Sequence, residues 1–156
     1  MNIVYPLTLL YDAACPVCSL EMDHLRERDA AARLRFVDIA APGFDAAAWG
    51  TTHAALDAEL HAVCGDGSVL VGVPALRAAY AAVGLGWVFA PAGWGPLAPL
   101  ADAGYRVFAR HRRAISGAAA PLIDALRAWR ARRTAARMAR CQAGACRLHE
   151  GEGGSR

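Results

Sequence analysis

Lysine is missing from this chain: all seventeen basic residues among the 156 are arginine. With Ala and Gly abundant, that bias reflects GC-rich coding more than mechanism. The opening MNIVYPLTLLYDAAC lacks a basic n-region and a long apolar h-region. No signal peptide is therefore expected, and a cytoplasmic setting follows. Charge is missing across the 24 residues from Ala78 to Ala101, a length that could span a bilayer. An unbroken helix is missing there too, because Gly84, Gly86, Pro91, Gly93, Gly95, Pro96 and Pro99 interrupt it. The expectation is a helix ending near Gly84, followed by an apolar loop. An even cysteine count is also missing. Five cysteines do not make the framework of a secreted disulfide protein, and in a reducing cytosol a close pair points to catalysis or metal.

What is present fits a globular domain able to bury a core, with 56% hydrophobic and 20% charged residues. The net charge of +3 conceals two halves. Residues 1 to 104 carry five Arg against eleven acids, and residues 105 to 156 carry twelve Arg against three. Only the second half is a candidate for anionic partners.

Leu7 to Tyr11 is a continuous apolar run, which predicts a buried strand. Pro16 suits the first position of a helix, where a missing N–H costs nothing. That helix is expected to reach about Ala32, with Cys18, Met22 and Leu25 on one face. Leu34 to Ile39 predicts a second strand, closed by a turn at Ala41-Pro42-Gly43. Residues 44 to 58 read as short helices anchored by Trp49 and Leu56. Two β-rich runs between residues 60 and 72 flank Asp66-Gly67, a hairpin signal. A helix from Pro74 to Val83 ends at Gly84. The expected fold is α/β, a mixed sheet in the order β-α-β-α-β-β-α with C-x-x-C after the first strand, which is a thioredoxin-like arrangement.

The pair is Cys15 and Cys18, in the stretch LYDAACPVC. A free thiol has a pKa of about 8.5, so only ~3% is thiolate at pH 7. At a helix N-terminus, unpaired N–H groups and the dipole favour the anion. Cys15 is thus the candidate nucleophile and Cys18, deeper by one turn, the candidate resolving thiol of dithiol–disulfide exchange. Asp12 stands at the strand end. Position alone favours a turn or capping role for it over proton transfer to Cys18.

Zinc is the rival chemistry for a C-x-x-C pair, with Cys141, Cys146 and His149 as further ligands. The C-x4-C spacing of the second pair and the helix-opening place of the first argue against it, and no metal or other cofactor is expected. Cys141 and Cys146 could instead relay electrons to Cys15, although an incidental dithiol is the simpler reading. Cys64 lies in an apolar strand and reads as core. His24 and His61 also read as structural.

The blocks YDAACPVC, RFVDIAAPGFDAAAWG, ELHAVCGDGSVLVGVPALRAAY and YRVFARHRRAIS resemble, in order, those of the DCC family of predicted thiol-disulfide oxidoreductases. The similarity covers about residues 7 to 116. It implies a thioredoxin-like fold and a dithiol site in the pattern D-x-x-C-x-x-C, with Asp12, Cys15 and Cys18 on its three positions. One departure stands out. Thioredoxin-like proteins place a cis-proline just before the hairpin, where this chain has Glu59 or its neighbour Ala58. Substrate docking along the site is expected to differ accordingly.

The expected organisation is a core over 1–96, a basic helical extension over 97–140 and a loose tail over 141–156. The extension is expected as helices at 97–114 and 119–140, joined near Ser116-Gly117. In the second, Leu122, Leu126 and Trp129 share a face expected to pack on its own domain. The expected partner is a protein or low-molecular-weight disulfide or thiol. Nucleic acid is not expected, because no binding motif accompanies the charge. Peripheral membrane contact through the Arg-rich helices stays open. The alternative function is a non-catalytic module that docks through those helices.

Overall fold

The structure is a computed structural model, and it describes residues 3–140. Strand β1 (Leu7–Tyr11) sits inside a four-stranded mixed sheet of order β2-β1-β3-β4. It pairs in parallel with β2 (Leu34–Asp38) and antiparallel with β3 (His61–Val63). Strand β3 continues through the hairpin into β4 (Val69–Val71). A strand with neighbours on both sides and layers on both faces must be apolar throughout, which is why LTLLY shows no alternation. Successive side chains still point to opposite faces. Leu9 enters a cluster with Met22, Leu25, Ala75 and Ala79, and Leu10 enters a second one with Ile39, Ala46 and Leu56.

Helix α1 (Pro16–Arg28) begins on Pro16 and buries Met22 and Leu25. It stops at Arg28, short of the expected Ala32. The Asp29 carboxylate accepts the backbone N–H of Arg33 at 2.9 Å and of Leu34 at 2.8 Å. These bonds draw the chain into a turn, with Ala32 in the left-handed region (φ 50°). Between β2 and β3 lie a 3-10 turn at Ala47–Trp49 and helix α2 (His53–Ala58), capped by the Thr52 hydroxyl. The hairpin turns at Gly67 (φ 84°). Gly65 is needed for space rather than for φ: a Cβ there would lie 2.6 Å from the Tyr5 carbonyl oxygen.

Helix α3 (Val73–Ala82) ends before Gly84, as the sequence predicts. The uncharged run then continues as short 3-10 turns that leave Trp87 and Trp94 largely exposed. Among the described residues no helix is long and apolar enough to cross a membrane.

The Arg-rich segment departs from expectation. It is assigned as one helix, α4 (Ala98–Arg140), with no break at Ser116-Gly117. A glycine inside a helix costs only about 0.5–1 kcal/mol, and Ser116 is buried with its hydroxyl bonded to another part of the fold. The chain divides into compact units at residues 1–120 and 121–156. That boundary falls on Pro121, which cannot donate a helical hydrogen bond. The first 23 residues of α4, 98 to 120, therefore belong with the sheet. In the second unit, Leu122 is 73% and Trp129 50% exposed, and the Arg133 guanidinium lies 4.5 Å from the Trp129 ring. Of the three residues on the face expected to pack, only Leu126 is half-buried, and among the described residues of this unit the buried apolar one is Ile123. The tail from 141 to 156, with Cys141, Cys146 and His149, lies outside the described residues.

Candidate functional site

The turn between β1 and α1 is set by two carboxylates. Asp12 Oδ1 accepts the Ala14 N–H at 2.9 Å, and the Asp12 carbonyl accepts the Cys15 N–H at 3.2 Å. Asp38, at the end of β2, accepts the N–H groups of Ala13 and Ala40 at 3.0 and 2.9 Å. Ser19 ties the first turn of α1 back to the Ala13 carbonyl at 2.8 Å. Cys15 becomes the N-cap residue with an extended backbone (φ −88°, ψ 111°), and Cys18 follows one turn later. The local turn role expected for Asp12 is present. Asp12 is also buried and borders the space beside each cysteine.

The two sulfurs lie 2.8 Å apart, with Cys18 Sγ donating to Cys15 Sγ. Ser116 Oγ also lies 3.2 Å from Cys15 Sγ. Burial alone would push the Cys15 thiol up. Hydrogen bonds from Cys18 and Ser116, the nearby Cys18 N–H and the charge of Arg112 outweigh it, and the thiol ends below its ordinary value. The Cys18 N–H belongs to the first turn of α1, so the helix N-terminus acts on Cys15 beside the side-chain bonds. Cys18 goes the other way. Burial, the bond it gives to Cys15 and the charges of Cys15 and Asp12 push it up to about 12, with Arg112 opposing. One proton is thus shared between two sulfurs in a strongly unequal way.

By exposure Cys15 is the more covered of the two, while by the protein packed around it Cys18 is the deeper, as expected. Cys15 is 3% exposed, whereas Cys18 is only half-buried. The cause is α4, which brings Ser116 over Cys15.

The sulfurs open onto different spaces. Cys15 borders a polar pocket of about 530 Å³ with Asp12, His53, Asp57, Ser116 and Gly117 in its wall. Cys18 borders an apolar pocket of about 230 Å³ formed by Val17, Met22, Leu60, Leu76, Tyr80, Phe89, Tyr105 and Phe108, with Asp12, Glu21 and Arg112 adding charge.

Three residues of this site escaped the sequence reading: Tyr105, Arg112 and Ser116. All lie in the segment set apart as an extension. Their signal was there, since Tyr105, Ala109, Arg112 and Ser116 fall at steps of four, three and four, which is one helical face. Arg112 is buried and reaches Asp57 at 3.4 Å, with the Asp57 side chain 46% exposed. Tyr105 accepts the Leu60 N–H on its hydroxyl at 2.8 Å. That bond fills the backbone donor just before β3, one residue after Glu59, where the sequence lacks the proline of thioredoxin-like proteins. Tyr105→Phe leaves this donor unpaired and is expected to destabilise the protein by about 1–2 kcal/mol, read from denaturant unfolding.

The other candidates have structural roles. His61 is buried in β3 with Nδ1 2.9 Å from the Glu59 carbonyl oxygen. His24 accepts from Arg28 Nε at 3.2 Å, and Cys64 is in the core. Among the described residues no His, Cys, Asp and Glu group could hold a metal ion.

Comparison with known proteins gives a consistent result. The sequence model of the DCC1-like thiol-disulfide oxidoreductases matches residues 9–118. An uncharacterized chloroplastic protein of Arabidopsis thaliana is 35% identical over 124 residues, which is 78% of this chain. The match spans 57% of that relative's own length. No solved structure matches.

Proposed function

The chain belongs to the DCC1-like family of thiol-disulfide oxidoreductases, and on that footing we propose that Cys15 and Cys18 are its working dithiol. The observation that carries the reading is the 2.8 Å contact in which Cys18 stabilises Cys15 as thiolate. Cys15 attacks one sulfur of a substrate disulfide, forms a mixed disulfide and expels the other sulfur as thiolate. Cys18 then attacks Cys15 Sγ and releases the bound half of the substrate. Asp12, buried between the two pockets, accepts the Cys18 proton as Cys18 becomes a nucleophile.

Exchange at sulfur runs in line, so the departing sulfur lies on the face of Cys15 away from Cys18. Cys15 borders the polar pocket with Ser116 and Cys18 does not, so that pocket receives the departing sulfur. The sheet order, with β3 antiparallel to β1 and the dithiol at the β1–α1 junction, supports a thioredoxin-like fold. A reducing compartment such as the cytoplasm suits a dithiol of this kind. The substrate is a protein or low-molecular-weight disulfide.

The test is a redox titration read by mass-shift alkylation. Cys15 and Cys18 should interconvert reversibly between dithiol and disulfide, and a pair that stays reduced under mild oxidant defeats the reading. A midpoint near about −270 mV marks a reductant, and one near about −120 mV an oxidant.

The exposed Leu122 and Trp129 among arginines favour a second reading, docking of a partner or an anionic membrane. There, Cys15→Ser leaves localisation intact and replacing the arginines of 127–140 abolishes it.

A further inference from the structure

We propose that electrons enter the pair at Cys18, from a small apolar thiol bound in the apolar pocket, while disulfide substrate meets Cys15 in the polar one. The proposal rests on the dithiol reading above and assigns that reading a second substrate and a second face.

The starting point is the oxidised protein, in which Cys15 and Cys18 are joined. An incoming thiolate can attack either sulfur and expels the other, because the three sulfurs must lie in line. Attack on Cys15 expels Cys18, and attack on Cys18 expels Cys15. The lower-pKa thiol departs faster. Ser116 Oγ, 3.2 Å from Cys15 Sγ, is in place to hydrogen-bond a departing Cys15 thiolate, whereas Cys18 faces the mostly apolar wall of its pocket. Departure of Cys15 is therefore favoured. Each sulfur borders its own pocket, and Cys18 but not Cys15 lines the apolar one, so a thiol held there meets Cys18.

The pocket selects the reductant. Its volume of about 230 Å³ exceeds the about 150 Å³ that accommodates benzene, so a phenyl ring with a short arm fits. Its charged groups are already engaged: Glu21 accepts from the Tyr80 hydroxyl, Arg112 pairs with Asp57 and Asp12 accepts the Ala14 N–H. A neutral apolar body is thus preferred over an ionic one. A peptide has no edge to pair with here, because the Leu60 N–H is bonded to Tyr105 and the Leu60 carbonyl to the Gly72 N–H at 2.8 Å.

The steps balance. The thiol loses its proton to solvent, and its sulfur bonds to Cys18 Sγ as the Cys15–Cys18 bond breaks and Cys15 leaves as thiolate. A second thiolate attacks the ligand sulfur of the mixed disulfide, and Cys18 leaves and takes a proton. Two thiols become one disulfide, and the protein becomes the dithiol.

The test uses the full oxidised protein with 2-phenylethanethiol and 2-mercaptoethanol, two alkyl thiols that differ mainly in apolar bulk. Reactions are quenched with an alkylating agent, and the adducts are mapped by peptide mass. The thiol adduct should be on Cys18 with the alkyl group on Cys15, and 2-phenylethanethiol should react about tenfold faster. Phe108→Ala, at a pocket residue already 40% exposed, should abolish that preference. An adduct on Cys15, or equal rates for the two thiols, overturns the proposal while leaving the dithiol reading intact. A protein that forms no Cys15–Cys18 disulfide defeats both.

Discussion

Cys15→Ser is expected to bring disulfide exchange down to the rate of the reagents alone, with the fold unchanged. A serine hydroxyl does not ionise in the range where Ser116, Arg112 and Cys18 can stabilise an anion, so the nucleophile is gone. Cys18→Ser should fail differently. Cys15 keeps its bond to Ser116 and still attacks, but nothing releases the product, and the protein accumulates as a mixed disulfide with its substrate. Intact-protein mass after incubation with a small disulfide separates the cases: no adduct for Cys15→Ser, one stable adduct on Cys15 for Cys18→Ser. Adduct formation by the Cys15→Ser protein at Cys18 would reverse the assignment of roles.

Ser116→Ala carries the second large effect. A hydrogen bond to a charged group contributes about 1.5–3 kcal/mol, and a sulfur acceptor puts this one at the low end. Removing it should raise the Cys15 pKa and slow attack at neutral pH about tenfold. The sign follows from the direction of the shift. Cys15 lies below its ordinary value, so wild-type activity persists as pH falls and is lost only as pH drops through the lowered pKa. In Ser116→Ala that loss begins at higher pH. At alkaline pH, where Cys15 ionises in both proteins, the rates should converge. A purely structural role for Ser116 predicts instead a pH-independent loss, so the pH–rate profile decides between them.

The sheet was legible because its signals are local. A continuous apolar run, Pro16 at N1 and Asp66-Gly67 each act within a few residues, and β1, α1 and the hairpin lie where they point. The end of α1 was misjudged because Asp29 stops it by bonding backbone four and five residues ahead, which periodicity does not register. The dithiol was legible for the same local reason as the strands. Its cover was not. Ser116 meets Cys15 across 101 positions, and the surrounding arginines marked the segment as a basic extension outside the core. The inward stripe of half-buried Tyr105 and buried Ala109, Arg112 and Ser116 shows that a polar helix can carry site residues along one line. The exposure of Leu122 and Trp129 is the converse case, in which apolar spacing alone overstated burial.

The central claim is that Cys15 ionises below the ordinary cysteine range and before Cys18. Ultraviolet absorbance of the thiolate, followed against pH in the wild-type, Cys15→Ser and Cys18→Ser proteins, tests it most directly. The account predicts one ionisation below the ordinary cysteine range in the wild type, absent in Cys15→Ser. In Cys18→Ser that ionisation should move upward but persist, since Ser116 and Arg112 remain. A wild-type protein with no thiolate below the ordinary range, or with one that survives Cys15→Ser, contradicts it.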